Sequence, residues 1–126
     1  MIDFLEVQDL LSLHADQVAL YGGTHGVRDM GLLESAIAQP RATFGGEYLH
    51  KGLFEMAAAY LFHLVKNHPF FDGNKRTGAV ASLVFLDING VEIDAPEGSI
   101  YDLTIAVAVG HAGKTQIADF FRAHAR

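Results

Sequence analysis

Apolar positions recur with helical spacing along most of this chain. Between Phe4 and Tyr21, the residues Leu10, Leu13, Val18 and Tyr21 fall near one face, and Gly22-Gly23 ends the pattern. Glycine is a preferred helix terminator because it accepts left-handed backbone angles. A shorter helix is predicted over Leu32–Gln39, with Asp29 as N-cap and Pro40 as its close. From Arg41 to Gly52 the period disappears and three glycines intervene, so a mobile loop or flap is expected. Leu53–Asn67 is apolar nearly all the way round, the pattern of a helix at the buried centre of a bundle. His68-Pro69 stops it, because the residue before proline is pushed out of the helical region. A helix resumes over Asn74–Asn89, with Val80, Leu83, Val84 and Ile88 on one side. Val91–Asp94 alternates briefly, as a strand or hairpin piece does. Ser99 with Asp102 three residues later resembles a capping box, opening an apolar helix to Val109 with Gly110 as the stop. Thr115–His124 is a last amphipathic helix carrying Ile117, Phe120 and Phe121. The sum is five or six helices with very little strand: an all-α helical bundle wrapped around the Leu53 helix.

Composition narrows the class. The chain has 126 residues, room for one domain over 1–126, and half of them are apolar, enough for a real core. There is no cysteine, hence no disulfide framework and no thiolate site, and a reducing cytoplasm is the simplest compartment. No basic stretch followed by an apolar run opens the chain, so no signal peptide is expected. The longest apolar run, Met56–Val65, is interrupted by His63 and too short to span a bilayer. A formal charge of −6 argues against non-specific nucleic-acid binding, which needs surplus Lys and Arg. Lys66, Lys75 and Arg76 nevertheless cluster in sequence, and a small basic pocket on an acidic body suits an anionic small molecule.

That cluster surrounds the run His68-Pro-Phe-Phe-Asp-Gly-Asn-Lys-Arg76. One helix ends at Asn67 and another begins near Asn74, so the free backbone N–H groups of Gly73 to Arg76 carry the positive end of a helix dipole, a ready anion site. Gly73 lets phosphate oxygens approach the backbone, and Asn74 completes the turn. Lys75 and Arg76 oppose the dipole in that first turn, a local cost that a bound phosphate would offset. Asp72 is a hard oxygen ligand suited to Mg²⁺, which takes one or two carboxylates plus substrate phosphates. His68 can accept a proton from an attacking hydroxyl near neutral pH. Phe70 or Phe71 is expected to plug the core and fix the turn. Each residue alone is ordinary turn vocabulary. Their joint occurrence within nine residues points to a site for a phosphorylated nucleotide.

The same run resembles the motif of the Fic/Doc family, in its Doc ("death on curing") branch. The resemblance extends to Leu13-His14, Tyr21-Gly-Gly-Thr-His-Gly26, Arg28-Asp29, Leu33-Glu-Ser-Ala-Ile37, Pro40-Arg41 and Phe85-Leu-Asp-Ile-Asn-Gly90. It implies an all-α Fic fold and an enzyme that moves part of ATP to a protein hydroxyl with Mg²⁺. His68 would be the general base and Asp72 would help hold the metal. Gly73 and Asn74 would form the anion cradle, with Lys75 and Arg76 on the phosphates. The chain departs from the adenylyl-transferring Fic pattern at two positions. Lys75 stands where those enzymes have a second glycine, and Ala79 where they have a second arginine. In Doc-like toxins that departure accompanies reversed nucleotide placement and transfer of the γ-phosphate to a threonine of elongation factor Tu. The resemblance also implies a Phd-type antitoxin partner, since no inhibitory helix with a Ser/Thr-x-x-x-Glu-Gly/Asn pattern is visible here. AMP transfer, or a catalytically silent binding module, are the alternatives.

Other signals carry less. Gly110-His-Ala-Gly-Lys-Thr115 ends like a Walker loop, but the required first glycine falls on Ala108 and the stretch lies between helices. Seven histidines show no zinc-ligand spacing. His14 and His63 lie in apolar stretches, as core or supporting residues do. Arg41, with Phe44, Gly45 and Gly46, reads either as a target-binding flap or as plain surface loop.

Overall fold

A computed structural model describes residues 1–126. Its elements are α1 (Val7–Tyr21), α2 (Met30–Ala38), a hairpin of β1 (Thr43–Phe44) and β2 (Glu47–Tyr48), α3 (Leu53–Asn67), α4 (Asn74–Ile88), α5 (Ser99–Ala108) and α6 (Lys114–His124). The all-round apolar segment becomes α3, and the consecutive residues Met56 to Leu61 are all buried in it. α2, α4, α5 and α6 pack around it, and α1 lies across α4 and α2. The all-α bundle expected from periodicity is the fold. No helix is long and apolar enough to cross a membrane.

α3 and α4 approach closely because of Gly78. A Cβ at that position would lie 3.2 Å from Val65 Cγ2 and 3.3 Å from the Leu61 carbonyl oxygen. The small residues Ala57, Ala58 and Ala81 line the same core. This contact sets the geometry of the two helices whose ends carry the motif.

Four local expectations change. α1 starts at Val7 instead of Phe4, because Asp9 Oδ2 accepts the Glu6 N–H at 2.8 Å and fixes the helix entry there. Phe4 and Leu5 precede it as core anchors: Phe4 stacks on Phe85, and the Leu5 N–H donates to the buried Tyr60 hydroxyl at 2.9 Å. The 41–52 segment carries the β1–β2 hairpin, with Gly45 and Gly46 at φ 61° and 83° in its turn, where two positive φ values favour glycine. Val91–Asp94 makes no hairpin. It pairs with the C-terminus, Ile93 opposite Ala125, with the Asp94 N–H on the His124 carbonyl at 2.9 Å. Ser99 does not cap α5. Gly98 is the N-cap, at φ 82°, and the Ser99 hydroxyl donates back to the Pro96 carbonyl.

His63 of α3 is largely enclosed, and its Nε2 has no partner. Burial, with Lys114 and His50 nearby, lowers its pKa to about 4. The unfolded chain therefore binds a proton at this site that the fold refuses between about pH 6.5 and pH 4, so stability falls as pH falls through that window. Urea unfolding at pH 7 and pH 5 measures the loss, and His63→Leu should reduce it; an undiminished loss in that variant would assign it elsewhere. Gly78→Leu should lower the unfolding free energy by about 2–3 kcal/mol through overpacking at the α3–α4 contact. An unchanged urea midpoint would show that the two helices can part there freely.

Candidate active site at the α3–α4 break

The break between α3 and α4 is built from backbone contacts. His68 ends α3 in the left-handed region, φ 52° and ψ 53°, as the only non-glycine residue of the chain with positive φ. Such a conformation costs about 1–2 kcal/mol and needs support. Arg28 supplies it: its Nε donates to the His68 carbonyl at 2.9 Å and its Nη2 to the Asn67 carbonyl at 3.2 Å. These are carbonyls that a helix end leaves without partners. The neighbouring strand-like piece binds the turn as well. The Arg28 and Asp29 N–H groups both donate to the Pro69 carbonyl at 2.7 and 3.1 Å, and Val27 bridges Phe70 in antiparallel fashion. Phe70 is the fully buried plug, while Phe71 stays 56% exposed.

Asn74 and His14 fix the turn from inside. The buried Asn74 side chain accepts the Phe70 N–H through Oδ1 at 2.9 Å and donates from Nδ2 to the Phe70 carbonyl at 3.0 Å. Its amide is thus committed to the turn, and only its backbone N–H faces the site. His14 of α1 is buried, stacks on Phe70 with centroids 3.8 Å apart and planes 4° apart, and its Nε2 donates to the Asp72 carbonyl at 2.8 Å. Gly73, at φ 77°, lies directly over that imidazole.

The N-terminus of α4 is left open to solvent. The first bond of the helix runs from the Thr77 N–H to the Gly73 carbonyl, so the N–H groups of Asn74, Lys75 and Arg76 have no partner. A cavity of about 180 Å³ lies against them, lined by Asp72 through Arg76 and by Tyr101 of α5. Lys75 and Arg76 are exposed and form no ion pair, although the Arg76 guanidinium lies 4.7 Å from the Tyr21 ring centroid. The exposed Asp72 carboxylate accepts one backbone N–H on each oxygen, Gly73 at 3.1 Å and Thr24 at 3.3 Å, and each oxygen keeps lone-pair capacity. A held carboxylate beside unpaired cations and free N–H groups fits Mg²⁺ and phosphates. The His68 side chain is exposed, not folded into the interior.

The structure places Asp72, Gly73, Asn74, Lys75 and Arg76 on one cavity, while His68 is exposed at the α3 end of the same break and does not line that cavity. It leaves the 41–46 group elsewhere in its bonding. Arg41 pairs with Glu6 at 3.0 Å and covers the Phe4 ring at 4.8 Å, and Phe44 stands 80% exposed on the hairpin. Three contributors were not visible as site residues in the sequence. Thr24 holds Asp72, Tyr101 walls the cavity, and Gly23 admits Asp72, since a Cβ there would sit 2.9 Å from its Oδ2. The glycine run 22–26 signalled a turn but not what the turn touches.

The Fic/DOC family profile matches residues 4–86, which include α1 through most of α4. The chain belongs to the Fic/DOC family. Within that family it is similar to "Protein kinase doc" of Escherichia phage P1, 37% identical over 116 residues, covering 91% of this chain and 90% of that one. It is also similar to "Toxin Doc" of Mycolicibacterium smegmatis (strain ATCC 700084 / mc(2)155), 44% identical over 95 residues, covering 75% and 71%. Both relatives lie on the Doc branch of the family, and this chain lies there with them.

His14 reaches the Fic/DOC motif through Phe70, the Asp72 carbonyl and the Gly73 backbone. His14→Ala should cost about 2–3 kcal/mol in urea unfolding, from a lost hydrogen bond and a cavity under the turn. Hydrogen exchange at Phe70 and Thr77, whose N–H groups are bonded within the turn, should accelerate beyond that global loss. Unaltered exchange at those amides would show that the imidazole does not hold the turn.

Proposed function

We propose that this protein is a Doc-type kinase that transfers the γ-phosphate of ATP to a Ser or Thr hydroxyl of a target protein, and that it acts as the toxin of a toxin–antitoxin module in the cytoplasm. The observation that carries this reading is the open N-terminus of α4, three free N–H groups with two unpaired cations, at the end of the same α3–α4 break that begins with the exposed His68. The names of the two relatives, a protein kinase and a toxin, support the reaction and the setting.

The roles follow from the chemistry of each group. The N–H groups of Asn74, Lys75 and Arg76 and the two side-chain cations bind the phosphates and stabilise charge on the transferring group. His68 accepts the proton of the target hydroxyl as its oxygen bonds to the γ-phosphorus and the bond to the ADP oxygen breaks. Mg²⁺, when bound, neutralises phosphate charge, and Asp72 is the residue that would hold it. The Thr24 N–H keeps that carboxylate oriented. Lys75 fills room that a second glycine would leave, and Ala79 supplies no second phosphate clamp, so γ-phosphate transfer is favoured over AMP transfer. By family resemblance the target is elongation factor Tu and the partner a Phd-type antitoxin. Arg41 and the hairpin residues Phe44, Gly45 and Gly46 form a candidate target flap, with Phe44 as its exposed contact.

Intact-mass analysis of elongation factor Tu after incubation with the protein and Mg-ATP tests the reading. The expected product carries one phosphoryl group, and His68→Ala should slow its formation by about 10²–10⁴-fold. An AMP adduct would contradict the kinase assignment. Undiminished modification by His68→Ala would contradict the assignment of the base. No adduct on any candidate target, together with no thermal shift in millimolar Mg-ATP, would leave only a binding module.

A further inference from the structure

Away from the motif, the base of the hairpin and the start of α6 enclose a second cavity of about 340 Å³. Lys114, the first residue of α6, lines it with His50, Lys51 and Thr115. The Lys114 Nζ lies 3.3 Å from His50 Nε2 and 5.6 Å from the Phe62 ring centroid, and no carboxylate lies within ion-pairing distance of it. The acids on the cavity wall, Glu55 and Asp119, are both engaged by Arg122. A half-buried amine without a counter-ion is destabilised as a cation. Burial accordingly lowers the Lys114 pKa, and burial followed by Lys114 lowers that of His50, so both groups hold more neutral form than exposed counterparts. Two imidazole nitrogens, His50 Nδ1 and His63 Nε2, are buried without partners. The three basic groups are not a metal site, since no cluster of three His or acidic ligands exists. They form an amine with an adjacent proton acceptor, opening on a cavity that a second cation, Lys51, borders.

We propose that Lys114 is an acyl-acceptor site that takes an acyl group from an acyl phosphate. The Nζ lone pair bonds to the carbonyl carbon, the bond from that carbon to the phosphate oxygen breaks, and inorganic phosphate leaves. The amine proton passes to His50 Nε2, which is then free to release it to solvent. Lys51, paired with Glu47 at 3.9 Å, lines the cavity into which the phosphate departs. The product is a neutral amide at the base of the hairpin in place of a cation over Phe62.

The experiment is peptide mapping of the whole protein during incubation with acetyl phosphate at neutral pH. Lys66 is exposed, lies outside this cavity and serves as the internal reference. Lys114 should acetylate several-fold faster than Lys66, and inorganic phosphate should slow Lys114 while leaving Lys66 unchanged. His50→Gln should bring the Lys114 rate down several-fold towards that of Lys66. Lys51→Gln, a surface change that cannot unfold the core, should slow Lys114 selectively. Acetylation of Lys114 at or below the rate of Lys66 overturns the proposal, as does a Lys114 rate that neither variant nor phosphate alters.

Discussion

The α3–α4 break depends on one constraint: the backbone of residues 68–73 must be held in a shape that no regular helix can supply. Pro69 has no N–H, and His68 is in a left-handed conformation that costs energy. Three side chains from different parts of the chain meet that cost by binding backbone groups. Arg28 takes the last carbonyls of α3, Asn74 takes both backbone groups of Phe70, and His14 takes the Asp72 carbonyl. None of the three needs to touch a substrate. Together they leave the first N–H groups of α4 facing outward, with the charged side chains Lys75 and Arg76 beside them. The site is an opening that the fold keeps from closing on itself.

The core serves the same end. α3 is buried along its middle, Met56 to Leu61, and α4 is drawn against it at Gly78, which fixes how the two helix ends meet. α1 then crosses α4 and delivers His14 beneath Gly73, while the loop after it delivers Thr24 to Asp72. Packing thus sets the position of the turn, and hydrogen bonds set its shape. The cations at the start of α4 work against the helix dipole, a local conflict of the kind expected at a functional site.

Much of this was legible in the sequence, for identifiable reasons. The apolar periods of Leu53–Asn67 and Asn74–Asn89 are long, and long periods define helices well. His68-Pro69 and Gly73 mark the break because their backbone preferences are strong. The N-cap role of Asp29 was also readable, and its Oδ1 accepts the Leu32 N–H at 3.0 Å. Long-range partners were not readable. Nothing in the local pattern says that Thr24 meets Asp72, 48 positions away, or that Tyr101 walls the same cavity. Ser99 looked like a cap because a capping box needs only spacing. The structure shifts the helix start by one residue, since Gly98 takes the left-handed position that ends the preceding turn. The hairpin was hidden because its strands are two residues each, too short for alternation to show.

In the proposed function, the free amides at the start of α4 are the phosphate-binding surface. Backbone NMR during titration with Mg-ATP measures this directly. The amide resonances of Asn74, Lys75 and Arg76 should shift most and saturate together, with Gly73 close behind. Saturable shifts confined to other parts of the molecule, or none at those three amides at millimolar nucleotide, would contradict it.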